Sequence, residues 1–302
     1  MISVVIPVYK NTSFFLANLK KNLKFLKDCE IIIVNDYPKE SIKKEIDEIK
    51  AKNIVLIENK KNLGFGPTVN VGAKRASGDY LLLLNSDTVL IDKGYLLALR
   101  HFKKNSNLFA VSFAQKERNN EIVGKNIIYF KDGLFHHQKV SDLTFGKNAW
   151  AEGGATLIDK RKFDLLNGFD PIYSPFYWED VDLSYRAWKA GFEILFDPKI
   201  LVEHHHQSTI GKYFSSKKIE AIAFRNQLIF TFKNISEGHF YLQFFIFFFK
   251  RFFQFLITAN FYGIMSILGF LKRLPVILKT KIVQRNLYKV KDEEILAFFK
   301  VK

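Results

Sequence analysis

Residues 78–88, GDYLLLLNSDT, decide how the chain is read. Tyr80–Leu84 is an unbroken apolar run, as expected of a strand buried on both faces of a sheet. Asn85, Ser86 and Asp87 follow at once, so polar and acidic groups stand at the carboxyl end of a central strand. In open α/β sheets ligands bind just beyond those ends. Asn-Ser-Asp is also good turn chemistry, so the stretch needs support from its surroundings before it means more than a turn.

The surroundings repeat the pattern. Ile2–Val8 and residues 30–34 (EIIIV) and 54–57 (IVLI) read as further buried strands. Between them Phe15, Leu16, Leu19, Leu23 and Leu26 recur at helical spacing, as do Ile42, Ile46 and Ile49. Residues 68–76 read as a helix, and Tyr95, Leu99 and Phe102 mark one more. Residues 109–113 and 127–130 read as strands. Alternating strands and helices predict an α/β fold with a mostly parallel sheet and right-handed crossovers. The positions to inspect are then Pro7 and Tyr9 after the first strand, Asp36 after the second, and Asn85–Asp87 after the fourth.

Composition sets limits. The chain has 302 residues, 48% of them hydrophobic, enough for one large domain with an appendage. A single cysteine, Cys29, allows no internal disulfide and fits a reducing compartment. The start, MISVVIPVYK, has no basic segment before its apolar run and does not read as a signal peptide. The formal charge of +16 is uneven: residues 210–302 hold 16 Lys and Arg against 5 Asp and Glu. Such a tail suits nucleic acid, anionic lipid or an anionic substrate. Here the charges are interleaved with phenylalanine, nine of them within residues 240–255, and no RNA-recognition motif appears. Residues 252–271 carry no charge and are long enough to span a bilayer, though Gln254, Thr258 and Asn260 favour a helix lying in the interface.

Four stretches carry chemistry. Asp36 can accept a hydrogen bond from a pyrimidine N–H, or act as a turn aspartate. Asp87 can hold a hard divalent cation that shares its ligands with substrate phosphates. Residues 62–79 (NLGFGPTVNVGAKRASGD) offer glycines for close backbone approach and Lys74 and Arg75 for a diphosphate; Val69 stands where the dinucleotide fingerprint needs its third glycine. In residues 176–192 (FYWEDVDLSYRAWKAGF), Val181, Tyr185 and Trp188 share one helical face. Glu179 and Asp180 fall at the helix start, where the macrodipole stabilises carboxylates by ~0.3–1 kcal/mol. That position predicts a low pKa, hence an ever-ionised but weak base. Three carboxylates beside Tyr177 and Trp178 exceed what capping needs, and one could take a proton from an acceptor hydroxyl. Finally, His204, His205 and His206 end a strand and could supply one metal ligand.

In this order and spacing, SVVIPVY, IIIVND, NLGFGPTVNVG, GDYLLLLNSDT, the block from GGATLIDKRK to RAWKAGF, and HHHQST resemble the family 2 glycosyltransferases, the rhamnosyltransferase-like branch in particular. The resemblance spans about residues 2–235. It implies a GT-A fold, with a nucleotide-sugar-binding half over 1–115, an acceptor-binding half over 116–235, and a helical membrane-associating or oligomerising tail over 236–302. It implies nucleotide-sugar contacts from Pro7, Tyr9, Asp36, Asn62, Gly64, Lys74, Asn85 and Ser86. Mg²⁺ or Mn²⁺ would be held by Asp87 and His204, with His206 as the next candidate. The first position of the family's metal motif is Asn85 here rather than Asp. Asp180 is the implied general base, and Gly154, Trp178 and Glu179 the implied acceptor contacts. The activity implied is inverting transfer from dTDP-rhamnose or a UDP-sugar to a glycan or lipid-linked acceptor in cell-surface polysaccharide synthesis. The expected location is the cytoplasm, peripheral to the inner face of the membrane, with no nucleic-acid partner and room for a homo-oligomer. The competing readings are an inactive GT-A scaffold and a basic membrane-surface protein. A sugar-1-phosphate nucleotidyltransferase would need a glycine-rich loop after the first strand, and residues 7–14 contain no glycine.

Overall fold

A computed structural model describes residues 1–204 and 213–300. Strands β1 (Ile2–Val8), β2 (Glu30–Asn35), β3 (Ile54–Glu58) and β4 (Tyr80–Leu84) alternate with helices α1 (Thr12–Leu23), α2 (Lys43–Ile49) and α3 (Phe65–Arg75). Next come β5 (Thr88–Leu90), α4 (Tyr95–Lys104), β6 (Leu108–Lys116), and the short strands β7 (Ile122–Val123), β8 (Asn126–Lys131), β9 (Leu134–Lys139) and β10 (Gly146–Lys147). Strand β11 (Ala155–Asp159), helices α5 (Lys160–Leu165) and α6 (Glu179–Lys189) and the long β12 (Glu193–His204) complete the α/β part. Among the described residues the helices α7 (Ser216–Asn234), α8 (Gly238–Ile257), α9 (Phe261–Arg285) and α10 (Asp292–Phe298) follow.

The main sheet runs β10-β12-β6-β11-β4-β1-β2-β3. β1 pairs in parallel with β2 and β4, β2 with β3, and β12 with β6, while β11 lies antiparallel between β4 and β6. The expected mostly parallel sheet is therefore present with an antiparallel strand at its centre. One face packs on α1, α2 and α4 through Phe15, Leu19, Ile46, Tyr95 and Phe102. The other packs on α3, α6 and the C-terminal helices through Val69, Val181, Tyr185, Phe230, Phe244 and Ile267.

Two expectations change. Helix α3 begins at Phe65 rather than 68, because Gly64 at φ 86° turns the chain and Pro67 falls within the first turn, where no backbone donor is required. The charge-free stretch 252–271 is not one helix. Ala259 takes a left-handed conformation, and the Asn260 side chain caps α9 by accepting from the Gly263 N–H, so α8 ends at Ile257 and a new helix starts at Phe261.

The helices after residue 235 are not a detached tail, since the core that holds Trp188 and Phe230 runs on without a gap to Phe244, Phe270, Ile277 and Ile295. Buried Asp292 locks the end in place. Its carboxylate receives Lys189 Nζ (2.8 Å), Tyr185 Oη (2.7 Å) and the Ser236 N–H (2.7 Å). Helices α8 and α9 are nonetheless long and apolar enough to cross a membrane, with mean hydropathy 1.4 and 1.5, and those windows are only 17% and 28% buried.

Candidate active site

The carboxyl edge of the sheet gathers three groups of polar residues. The first is built on β4. Asn18 and Asn22 on the buried face of α1 fix the chain after it: Asn18 Nδ2 donates to the Ser86 carbonyl (3.1 Å) and Asn22 Nδ2 to that of Thr88 (2.9 Å). β5 then pairs antiparallel with the end of β12, His204 opposite Thr88. This register sets His204 Nε2 3.2 Å from Asp87 Oδ1. One carboxylate and one imidazole at one point suit Mn²⁺ or Mg²⁺ when phosphate oxygens and water supply the remaining ligands. Among the described residues no cluster of three His, Cys, Asp or Glu exists, so Asp87 and His204 are the two potential ligands that the described residues bring together here. His205 and His206 lie outside the described residues.

The second group surrounds Asp36. Its carboxylate accepts from Asn59 Nδ2 (2.9 Å), the Leu63 N–H (2.9 Å) and the Gly64 N–H (2.9 Å), and Asn62 Oδ1 accepts from the same Gly64 N–H (2.9 Å). Asp36 therefore shapes the 59–64 loop at the start of α3. Gly64 must lack a side chain: a Cβ would come within 2.9 Å of the Pro175 carbonyl. Tyr9 packs edge-on to Tyr37 (5.5 Å), with Lys10 over both rings, while Pro7 pairs with Val34 inside the sheet.

The third group is the start of α6. Tyr177 and Trp178 both take left-handed conformations, rare for bulky residues. They are held there by Asn226 on α7, whose Nδ2 donates to the carbonyls of Tyr173 (2.7 Å), Phe176 (3.0 Å) and Tyr177 (2.9 Å). The turn delivers Glu179 and Asp180 into the first turn of the helix. Asp180 remains partly exposed, and its carboxylate accepts from the Val181 N–H (2.8 Å) and from the Gly153 N–H. The low pKa expected from the helix terminus is not found. Burial and the neighbouring Glu152 carboxylate push Asp180 up to about 6, against those backbone donors. Glu179 is buried, with Oε2 unpartnered among the described residues, and burial and Asp180 raise it well above the ordinary carboxylate range.

Glu152 escaped the sequence reading. It sits just before the Gly153–Gly154 pair and is gripped by Gln115 Nε2 (2.6 Å) and Asn126 Nδ2 (3.0 Å), both from fully buried side chains. Behind the site, Asp182 is buried against Arg186 Nε (2.7 Å), Lys233 Nζ (2.9 Å) and Tyr173 Oη (2.8 Å). Burial would raise its carboxyl, but Lys233 and Arg186 outweigh it and hold the group far below the usual range. Of the three carboxylates at this helix start, Asp182 is thus structural.

Hydrogen bonds chain the groups together. Asn85 N–H donates to the Gly154 carbonyl (3.1 Å), linking the Asp87 turn to the segment that meets Asp180. Ser174 Oγ donates to the Leu63 carbonyl (3.3 Å), and the Phe65 N–H reaches Pro175 O (3.4 Å), linking the Asp36 loop to the turn before α6. Gly154 is buried, and a Cβ there would meet Asn85 Nδ2 at 2.5 Å, so its visible task is to admit Asn85. Trp178 is likewise buried, its ring against His137 (4.8 Å) and Phe230 (4.9 Å). Lys74 is not brought to the site. It is exposed at the far end of α3, next to Arg75, which meets Glu30 at the start of β2 (3.6 Å), on the opposite edge of the sheet.

Comparison with known proteins bears on this arrangement. The poly-beta-1,6-N-acetyl-D-glucosamine synthase of Staphylococcus epidermidis is 28% identical over 184 residues, 60% of this chain and 44% of that protein. The chain thus spans less than half the length of this curated relative. Among solved structures, Staphylococcus aureus TarS 1–349 in complex with UDP-GlcNAc is similar at a TM-score of 0.58 and 15% identity, over 98% of this chain and 90% of that one. GalNAc-T7 with UDP, GalNAc and Mn²⁺ is similar at 0.59 and 16%, over 76% and 47%. These likenesses establish the GT-A fold. Residues 3–164, more than half of the chain, match the family described as glycosyl transferase family 2, and the chain belongs to that family.

Proposed function

We propose that this chain is an inverting, divalent-cation-dependent glycosyltransferase that moves a sugar from a nucleotide-sugar donor to a hydroxyl of a glycan or lipid-linked acceptor in cell-surface polysaccharide synthesis. One observation carries the reading: a partly exposed aspartate raised to about 6 is tied through Gly153–Gly154 to the Asp87–His204 pair. A base and a cation corner on one sheet edge are what a single displacement at an anomeric carbon requires.

In this reading Tyr9, Tyr37 and the loop ordered by Asp36 receive the nucleotide base, with Pro7, Asn62, Gly64, Asn85 and Ser86 shaping the same wall. Asp87 and His204 would hold Mg²⁺ or Mn²⁺, which offsets charge on the diphosphate leaving group when bound. Asp180 accepts the acceptor hydroxyl proton as that oxygen bonds to the anomeric carbon. The bond from that carbon to the diphosphate breaks on the opposite face, the electron pair leaves with the nucleoside diphosphate, and the configuration inverts. No covalent sugar–enzyme intermediate is needed, in contrast to retaining glycosidases. Burial and Asp180 favour the neutral form of Glu179 beside it. The names of the relatives favour a UDP-N-acetylhexosamine over dTDP-rhamnose as donor.

The exposed apolar faces of α8 and α9, with Leu242, Ile246, Phe253, Ile257 and Leu268, support docking to the cytoplasmic face of a membrane. The test of the activity is nucleotide release from a panel of UDP-, dTDP- and GDP-sugars with Mn²⁺, Mg²⁺ or EDTA. Metal-dependent release from one donor is expected; absence of both release and donor binding across the panel, with lipid-linked acceptors included, rejects the reading in favour of an inactive scaffold.

A further inference from the structure

Where the C-terminal helices meet the turn before α6, two arginines face each other without a counter-charge. Arg225 of α7 gives Nε (3.0 Å) and Nη2 (2.8 Å) to Asn226 Oδ1, and Nη2 also to the Ser174 carbonyl (2.9 Å). Arg273 of α9 gives Nη1 to the Gly269 carbonyl of its own helix (3.0 Å). Both side chains converge on Gly269: a Cβ there would lie 2.9 Å from Arg225 Cδ, so glycine admits Arg225, and Arg273 Nη1 lies 3.9 Å from the same point. Both are half-buried. Arg225 Nη1 and Arg273 Nε and Nη2 have no protein acceptor among the described residues, and no carboxylate acts on either group. Residues 205–212, HHQSTIGK, contain no acid in their sequence.

Two guanidiniums drawn partly out of water repel each other, and burial together with Arg273 lowers Arg225 to about 10. A structural cation normally meets a carboxylate here, as Arg186 meets Asp182. These two meet only neutral oxygens and keep free, forked N–H groups, the geometry that suits phosphate. The rest of the surface narrows the source. On α9, Met265 and Val276 stand on the same side of the helix as Arg273 and are exposed, while Leu268 and Leu271 on its far side and Phe249, Phe253 and Ile257 on α8 are exposed as well.

We propose that Arg225 and Arg273 clamp the headgroup phosphate of a membrane phospholipid whose chains lie along the apolar faces of α8 and α9. The proposal rests on the membrane-docking reading above. Through the Ser174 carbonyl the clamp touches the turn that presents Trp178 and Asp180, so a bound lipid would brace the catalytic turn from behind.

The test is co-sedimentation of the full chain with phosphatidylcholine vesicles, alone or with one quarter phosphatidylglycerol, at 0.1 and 0.5 M NaCl. Arg225→Gln/Arg273→Gln is compared with Lys272→Gln/Lys279→Gln, which removes the same charge from exposed positions of α9. Diffuse attraction is screened at high salt, whereas a partly buried contact survives. The wild type and the lysine variant should keep binding the anionic vesicles at 0.5 M NaCl, and the arginine variant should lose more than about tenfold in affinity. Arg273→Gln alone leaves the Ser174 bond intact and should show part of the loss, which guards against misfolding of the double variant. Equal losses in the arginine and lysine variants at both salt concentrations overturn the clamp while leaving membrane docking intact. Displacement of the protein from vesicles by 10 mM inorganic phosphate overturns the lipid as its ligand. Failure of the wild type to bind any vesicle overturns membrane docking and the clamp together.

Discussion

A base that works near neutral pH must have an affinity for protons to match, and Asp180, the proposed base, acquires it from its surroundings rather than from its position in the helix. The macrodipole and the backbone N–H groups of Gly153, Asp180 and Val181 favour the ionised form; burial and Glu152 oppose them and win. In the proposed mechanism the ionised form of Asp180 is the active one, so kcat/KM should rise with pH through about 6 and then level off. Glu152→Gln removes a negative neighbour, favours ionisation and should move that limb to lower pH while leaving the high-pH plateau within a few-fold. A limb that stays in place in that variant contradicts the role given to Glu152. Glu152 was invisible in the sequence because its meaning depends on Gln115 and Asn126, which come from two other strands. That Asp87 and His204 meet was legible, since a carboxylate after a central strand and a histidine ending another need only the sheet to come together. Asp87→Asn should raise the Mn²⁺ concentration for half-maximal nucleotide release by at least tenfold, on the order of what loss of a supporting ligand contact costs. The position of Lys74 was not legible, because helix α3 runs away from the ligand edge, a fact that composition does not carry.

At the scale of elements, Asn226 is the piece on which the site turns. The strained Tyr177–Trp178 backbone persists because surrounding hydrogen bonds determine it. Asn226→Ala would leave three carbonyls without a donor and should destabilise the fold by on the order of 3 kcal/mol. It should also lower kcat with little change in nucleotide affinity, because the 59–64 loop proposed to receive the nucleotide is held separately by Asp36. Denaturant melts and isothermal titration with the nucleoside diphosphate separate the two effects. Strand and helix order could be read from periodicity, since buried strands are continuous and α1, α2 and α4 are amphipathic. The break at residues 258–260 could not, because it depends on a left-handed Ala259 and a capping Asn260 within an otherwise apolar run.

The whole molecule is one core rather than a catalytic unit with a loose tail. Asp292, 103 residues from Lys189 in sequence, satisfies that buried ammonium at 2.8 Å. Asp292→Ala should therefore cost about 3–5 kcal/mol, because it strands a buried charge; thermal unfolding should remain a single transition at lower temperature. Two transitions would show that the C-terminal helices fold on their own. Sequence placed the basic, aromatic surplus after residue 210 correctly but could not show that one face of it completes the core behind α6 while the other stays exposed.

The most direct test of the proposed mechanism is the Asp180→Asn variant beside the wild type, with the donor that the nucleotide-release panel identifies. A loss of ~10²–10⁴-fold in transfer to acceptor is expected, with donor affinity measured by titration calorimetry unchanged and metal dependence intact. Transfer that survives in the variant at wild-type rates would contradict Asp180 as the proton acceptor and, with it, the mechanism proposed for this site.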